Sequence, residues 1–269
     1  MNIQTSILDR IEITNDFNRK LNFNDNDIRK HFLELHSSIL MNFFRGYVLV
    51  DIMEGFDKKE LAFHENANKP LAKIFEVFKN DSHYYSYINS LHRRLFLDAF
   101  SNFDFCITTF CNAIIPATQR ETLLNWKFND LQPKLKEVNL GIQDAIQKKV
   151  KENHISHVPI DRRIRTLFKL AKKNYTRCQI HDKQFLEFIR RLRNTHHANF
   201  NYWGDKFEFN FGSAHYIFED NKSVFWKDEY RDEIELNLDL VEEIRNIWIE
   251  LINSIGFQEN IPYIIDNEY

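Results

Sequence analysis

The sequence predicts a mainly α-helical protein with a small antiparallel β-hairpin inserted before its last helix. Three observations carry this. Helix breakers are scarce, with Gly 6 and Pro 5 in 269 residues, so long segments run without interruption. Apolar residues recur at spacings of three and four through most of the chain, the repeat of a helix buried along one face. Between about 206 and 226 the repeat becomes two, that of a half-buried strand. Hydrophobic residues make up 43%, enough to build a substantial core.

The elements follow in order. Asn24-Asp-Asn-Asp27 caps a helix that runs to about Glu54, with Ile28, Phe32, Leu35, Ile39, Phe43 and Tyr47 inward. Asp25-x-Asp27 lacks the glycine and terminal glutamate of a calcium loop, so capping accounts for it. Residues 69–78 read as a short helix with Pro70 near its start. Asp81-Ser82 caps a long helix that ends before Pro116. Residues 118–126 form a turn or short helix, and Asn129 to Lys151 another helix. One more helix spans Ile160 to about Lys173. Asp182 then caps a helix that runs to about Ala198. Lys206-Phe-Glu-Phe-Asn-Phe211 and His215 to Phe218 alternate as strands, with Gly212-Ser-Ala between them and Val224 to Trp226 after them. A last helix covers Leu238 to Ile255 and stops at Gly256. Two regions are expected: an N-terminal helical region, 1–80, and a helical domain, 81–269, with a boundary near 70–81.

Composition narrows the function. Cys106, Cys111 and Cys178 have no metal-ligand spacing and read as thiols of a reducing cytosol. Met1-Asn-Ile-Gln is followed by charges rather than the apolar run of a signal peptide. The most apolar stretch, Leu95 to Ala117, contains Asp98 and Asp104, which suits a buried helix better than a membrane span. The expected place is the cytoplasm, away from membrane. The net charge of −3 hides an asymmetry: 151–206 holds thirteen Lys and Arg against five acids, net +8, leaving −11 elsewhere. A local basic surface on an acidic protein fits a polyanionic ligand. There is no Gly-rich phosphate loop, no G-x-S-x-G and no H-E-x-x-H. His154-x-x-His157 lacks further ligands, so no metal or other cofactor is expected.

The segment richest in chemistry is Phe188-Ile-Arg-Arg-Leu-Arg-Asn-Thr-His-His-Ala-Asn199. Arginine offers a planar donor fork to an anion, and histidine moves protons near neutral pH. At about 100° per residue, His196 falls in the apolar arc of Phe185, Phe188, Ile189 and Leu192. Arg190, Arg193 and His197 form a polar stripe, with Asn194 beside it. The plain structural alternative is a basic helix end that offsets the helix dipole. In the helix before Pro116, Ser101, Asp104 and Thr108 draw a polar line through an otherwise apolar surface. A buried carboxylate there needs a partner, and an arginine of the motif helix is the expected one.

Arg-Leu-Arg-Asn-Thr-His-His at 191–197 resembles the signature of the HEPN superfamily, the higher eukaryote and prokaryote nucleotide-binding domains. The resemblance covers roughly 82–256 and implies a HEPN-like helical bundle of the bacterial type that carries a β insertion before the last helix. Asp104 resembles the acidic residue that members carry in an early helix. Two registers of the signature are open: Arg193-Asn194 has the matching neighbour, with three residues before His197, whereas Arg191 leaves four before His196 and five before His197.

Many members are metal-independent endoribonucleases of toxin–antitoxin, phage-defence or RNA-processing systems; others are non-catalytic modules that bind nucleic acid, nucleotide or protein. The resemblance therefore implies His197 as general acid or base, Arg193 on the phosphorane charge and Asn194 orienting the phosphate. Arg190, Arg191 and His196 would bind substrate, with Asp104 in support. RNA or a nucleotide is the implied ligand, and an antitoxin or other protein an implied partner. A homodimer is implied too, because one Arg/His set serves two proton steps poorly.

Overall fold

One long apolar helix organises the fold. In a computed structural model, which describes residues 3–57, 83–115, 159–198, 201–227 and 233–263, this is α3 (His83–Ile114). Its Phe96, Phe100, Phe103, Ile107 and Phe110 are each at most 3% exposed. A helix apolar nearly all round must be covered nearly all round. Four helices do this: α2 (Ile28–Asp57), α4 (Ile160–Ala171), α5 (Gln179–His197) and α6 (Glu233–Ile255). From α6, Trp248 enters fully buried, with its ring 4.8 Å from Phe32 on α2 and 5.7 Å from Phe110 on α3. One hydrophobic cluster runs from Ile7 to Ile261, so residues 3–57 share the core of the rest. The protein is mainly α-helical, with its short strands before the last helix, as the periodicities predict.

α1 (Ile3–Lys20) is a helix the apolar pattern does not announce. Its buried face alternates Ile7 and Ile11 with Ser6 and Thr14, which dilutes the stripe. Ile7 and Ile11 still join the core and α1 packs mainly on α2, while ion pairs tie it to α6. Arg10 reaches Asp239 at 2.5 Å and also pairs with Glu242, both on α6. Arg245, 2% exposed, donates to Thr14 Oγ1 at 3.0 Å and to Glu242 at 2.7 Å.

Asp27 caps α2 as the sequence predicts. Its Oδ1 accepts the Arg29 backbone N–H at 2.9 Å. It does more, because Asp27 and Arg29 are only 0% and 1% exposed and form an ion pair at 2.6 Å. Burial alone would raise the Asp27 pKa, but hydrogen bonds from Arg29 and from the Ile261 N–H hold it below the usual carboxylate value. Arg29 also donates to the carbonyls of Phe257 and Glu259. The segment after α6 is thereby strapped to the start of α2, with Tyr263 stacked 3.7 Å from His31.

Asp182 does not cap α5, contrary to expectation. The N-cap is Cys178, without a side-chain bond, and Asp182 lies one turn inside the helix. There it accepts hydrogen bonds from Tyr175 Oη at 2.6 Å and from Arg177 at 2.8 and 3.0 Å. The carboxylate holds the preceding loop rather than the helix end. α6 begins at Glu233, ahead of the expected Leu238, with Glu233 and Glu235 facing its positive dipole end. The expected helices at 69–78 and 129–151, the turn at 118–126 and the boundary near 70–81 lie outside the described residues.

Among the described residues, five short strands follow α5: β1 (Asn201–Tyr202), β2 (Phe207–Phe211), β3 (Ala214–Phe218), β4 (Lys222–Ser223) and β5 (Phe225–Lys227). β2, β3 and β5 form one antiparallel sheet in that order, and β1 pairs with β4. Gly212, with φ 60°, takes the left-handed conformation that the tight β2–β3 connection needs. The register places Phe209 beside Tyr216 and Phe207 beside Phe218 on one face. That face covers α5, with Phe188 stacked 4.7 Å from Phe209 and tilted against Tyr216 at 4.6 Å.

Removing Asp27 should strand a buried guanidinium, so Asp27→Ala should lower unfolding free energy by about 3–5 kcal/mol in denaturant titrations. A second expectation concerns acid. His36 is fully buried, and no hydrogen-bond partner of its ring lies among the described residues. Burial, and then the Arg245 charge, push its pKa down to about 3. The unfolded chain takes up a proton near pH 6.5 that the folded chain refuses. This contribution is therefore intact above about 6.5 and is lost as pH falls from there toward 3, at about 1.4 kcal/mol per pH unit. His31, lowered by burial, acts in the same direction. His36→Leu should flatten the stability profile between pH 6.5 and 5 (measured by denaturation at each pH).

Candidate functional site

The last two turns of α5 carry the motif. Phe185, Phe188 and Ile189 are all fully buried, and the sheet covers this face. That fixes the helix rotation and turns Arg190, Arg191 and Asn194 away from the core. Glu187 gathers the two arginines. Arg190 donates to it at 2.9 and 2.8 Å, and Arg191 at 2.7 Å. Arg191 also donates to the Tyr202 hydroxyl and lies 4.5 Å from the Phe207 ring centroid.

The facing wall is the loop after β1, and its backbone is held at several points. The Tyr202 hydroxyl donates to the Asp205 carbonyl at 2.9 Å, and the Tyr202 carbonyl accepts from the Asn221 N–H at 2.7 Å. Gly204 has φ 147°, and its N–H donates to Asp220 Oδ1 at 3.0 Å. A Cβ at Gly204 would sit 2.8 Å from the Tyr202 hydroxyl oxygen, so the loop requires glycine there on both counts. Arg190, Arg191, Asn194, Tyr202, Trp203 and Asp205 line the resulting cavity, about 400 Å³ in volume. Two cationic forks, an amide and an exposed indole thus share one opening.

The remaining motif residues go elsewhere. Arg193 turns toward α3, with its guanidinium carbon 5.9 Å from the Phe100 ring centroid. It keeps a long contact of 3.5 Å to Asn194. In the stripe of Arg190, Arg193 and His197 expected from the helical wheel, with Asn194 beside it, Arg193 is therefore drawn away from Arg190 and Asn194, because α3 offers it an aromatic face. His196 faces the far side of the helix, its ring 5.8 Å from Phe96. It lines a second cavity of about 400 Å³ with His92, Arg93, Phe96 and Trp226. Thr195, 3% exposed, stands between the two cavities and lines both. Arg191 and His196 thus open on opposite sides of the helix. His197 is the last residue of α5.

The end of this helix is capped by α3. Arg93 donates to the His196 carbonyl at 2.9 Å, placing a cation at the negative end of the helix dipole. Nothing local in the sequence marks Arg93, which reaches the helix end through a tertiary contact. For Tyr202 and Trp203 the available signal is an aromatic pair just after the motif.

The arginine whose charge interacts with Asp104 is Arg163 of α4 rather than one of α5; Arg163 is 5% exposed and donates to Thr108 Oγ1 at 2.5 Å. Burial lowers the Arg163 pKa, and the fields of Cys111 and Asp104 oppose that shift. α4 crosses α3 at this level, and no ion pair between Asp104 and α5 occurs among the described residues. Cys106 and Cys111 are free thiols in the core, and burial pushes Cys111 up to about 11.

At the opposite end of α5, His181, Asp182 and Glu243 bring ligand-type atoms within 4.8 Å of one another. Arg177 bridges Asp182 and Glu243 and supplies the positive charge itself. These bonds raise the Arg177 pKa above its ordinary value, the hydrogen bond to Asp182 contributing most. Among the described residues, no helix is long and apolar enough to cross a membrane. The chain matches no family model, no curated protein and no solved structure in comparisons with known proteins.

Glu187 pairs with both arginines of the cavity and offsets one of their two positive charges, so Glu187→Gln should free them for an anion. The variant should elute from a heparin column at higher salt than wild type. Its stability should change by no more than about 1 kcal/mol, since the pairs are partly exposed.

Proposed function

We propose that the chain is a HEPN-like protein that cleaves RNA without a metal at the C-terminal end of α5. The observation that carries this reading is the grouping of Arg190, Arg191 and Asn194 around one cavity on the helix that ends in His197. The chemistry suits those residue types. His197 takes the proton of a ribose 2′-hydroxyl, and the 2′-oxygen attacks the adjacent phosphorus. The bond to the 5′-oxygen breaks, and that oxygen receives a proton, leaving a 2′,3′-cyclic phosphate and a free 5′-hydroxyl. Arginine forks stabilise the charge on the phosphorane, and Asn194 orients a phosphate oxygen. A second copy related by a two-fold axis supplies the second proton-transfer group, so the active form is a homodimer. A defence or toxin–antitoxin setting, with an antitoxin as partner, follows from the same resemblance.

Two contacts favour a second reading, a non-catalytic module for nucleic acid, nucleotide or protein. Glu187 already satisfies Arg190 and Arg191, and Arg193 rests against Phe100. Incubation of mixed RNA with the full chain and EDTA separates the two. Cleavage to cyclic-phosphate ends that His197→Ala abolishes supports the nuclease; binding without cleavage by the wild type supports the module.

Arg193→Ala should lose cleavage, and Arg193→Lys should fail to restore it fully, because lysine lacks the planar fork. Undiminished cleavage by the Arg193/His197 double alanine variant would remove this site from the mechanism. Light scattering should give a dimer at tens of micromolar, an order-of-magnitude working range. A monomer would count against the paired site.

A further inference from the structure

We propose that Trp203 is a base-stacking platform, so that the α5 cavity takes an unpaired RNA base beside its phosphate. This rests on the reading above and names the form of nucleic acid the site accepts. Trp203 is 64% exposed, which is unusual for the largest apolar side chain in a protein with a continuous core. Its exposure is not that of a loose loop. Tyr202 before it is paired with Lys222 in the β1–β4 ladder, and Gly204 after it is tied to Asp220. Trp203 directly follows the last residue of β1, and its indole is exposed where the Tyr202 ring is buried. The backbone is thus clamped on both sides of the indole, and little ordering remains to be done when a ligand stacks on it.

The neighbours complete a nucleotide's needs. Arg190 and Arg191 line the same cavity as Trp203 and supply donor forks for the phosphate. Asn194 offers both a donor and an acceptor to a base edge or ribose. An indole face accepts any base by stacking, but only a base that has left its duplex can reach it. The site therefore discriminates strandedness more than sequence.

The test uses the full chain at fixed salt with three probes: a labelled 12-nucleotide unstructured RNA, the same RNA annealed to its complement, and the same RNA with abasic riboses. Wild type should bind the unstructured RNA best, and both the duplex and the abasic strand more weakly. Trp203→Ala should weaken binding of the unstructured RNA by roughly five- to hundredfold, the range of one lost base stack. It should leave abasic binding unchanged, and Trp203→Phe should restore most of the loss. An unaltered melting temperature confirms that Trp203→Ala folds. If wild type binds the RNA and Arg190→Ala weakens it while Trp203→Ala does not, the platform is overturned and the RNA site stands. If wild type binds none of the probes, or Arg190→Ala has no effect on binding, the RNA reading of this site falls, and the platform with it.

Discussion

The constraint on which the rest depends is the need to cover α3. Its phenylalanines point in several directions, and each is worth about 1.5–3 kcal/mol when taken out of water. No single neighbour can bury them all. α2, α4, α5 and α6 share the task, and α5 and α6 reach it from opposite ends of the sheet segment. The motif helix is thus locked in rotation by two layers at once, α3 on one side and β2–β3 on the other. The direction of Arg190 and Arg191 is a consequence of how Phe185 and Phe188 are packed.

Polar pairs then decide what apolar packing leaves loose. The hydrophobic surfaces of α1 and α2 could slide along α6 with modest loss. Arg10 with Asp239 and Glu242, and Arg29 with Asp27 and the carbonyls after α6, admit one register. Pairs of this kind, buried at Asp27–Arg29 and partly buried at Arg10, add little net stability but penalise misalignment, because a shifted register leaves charge without a partner. The same device works at the site on a smaller scale. Glu187 and the Tyr202 hydroxyl hold Arg191 from two directions, so that its fork is aimed before any ligand arrives.

Much of this architecture is legible in the sequence where the decisive contacts are local. The three-to-four repeat in α2, α3, α4 and α6, and the two-residue repeat of β2 and β3, reflect burial along one element. Asp27 is readable as a cap because a cap bonds two residues away. α1 is not readable, since its anchor is Arg10 reaching more than two hundred residues along the chain. Asp182 looks like a cap by position, yet Tyr175 and Arg177 claim it from the preceding loop. At the site, helical periodicity correctly turns Arg190 and Asn194 outward and His196 toward packing with Phe96. It fails for Arg193, whose long side chain follows the Phe100 face rather than its Cα direction. Asp104 fails for a similar reason: which of several arginines approaches a carboxylate depends on helix crossing, and sequence order carries no record of it.

The strap after α6 has a consequence for how the chain is made. Ile261 donates its N–H to Asp27 across 234 positions, and Arg10 meets Glu242 across 232. At a synthesis rate of about 5–20 residues per second, the first two helices leave the ribosome on the order of ten to forty seconds before α6, which completes their cover. During that interval Phe32 lacks Trp248, and Asp27 and Arg29 have each other but not the closing carbonyls. These closing contacts are slow to form, because loop closure across most of the chain must precede them. Until α6 arrives, α1, α2 and α3 can pack on one another but leave the surface that Trp248 covers open to aggregation and to chaperone capture.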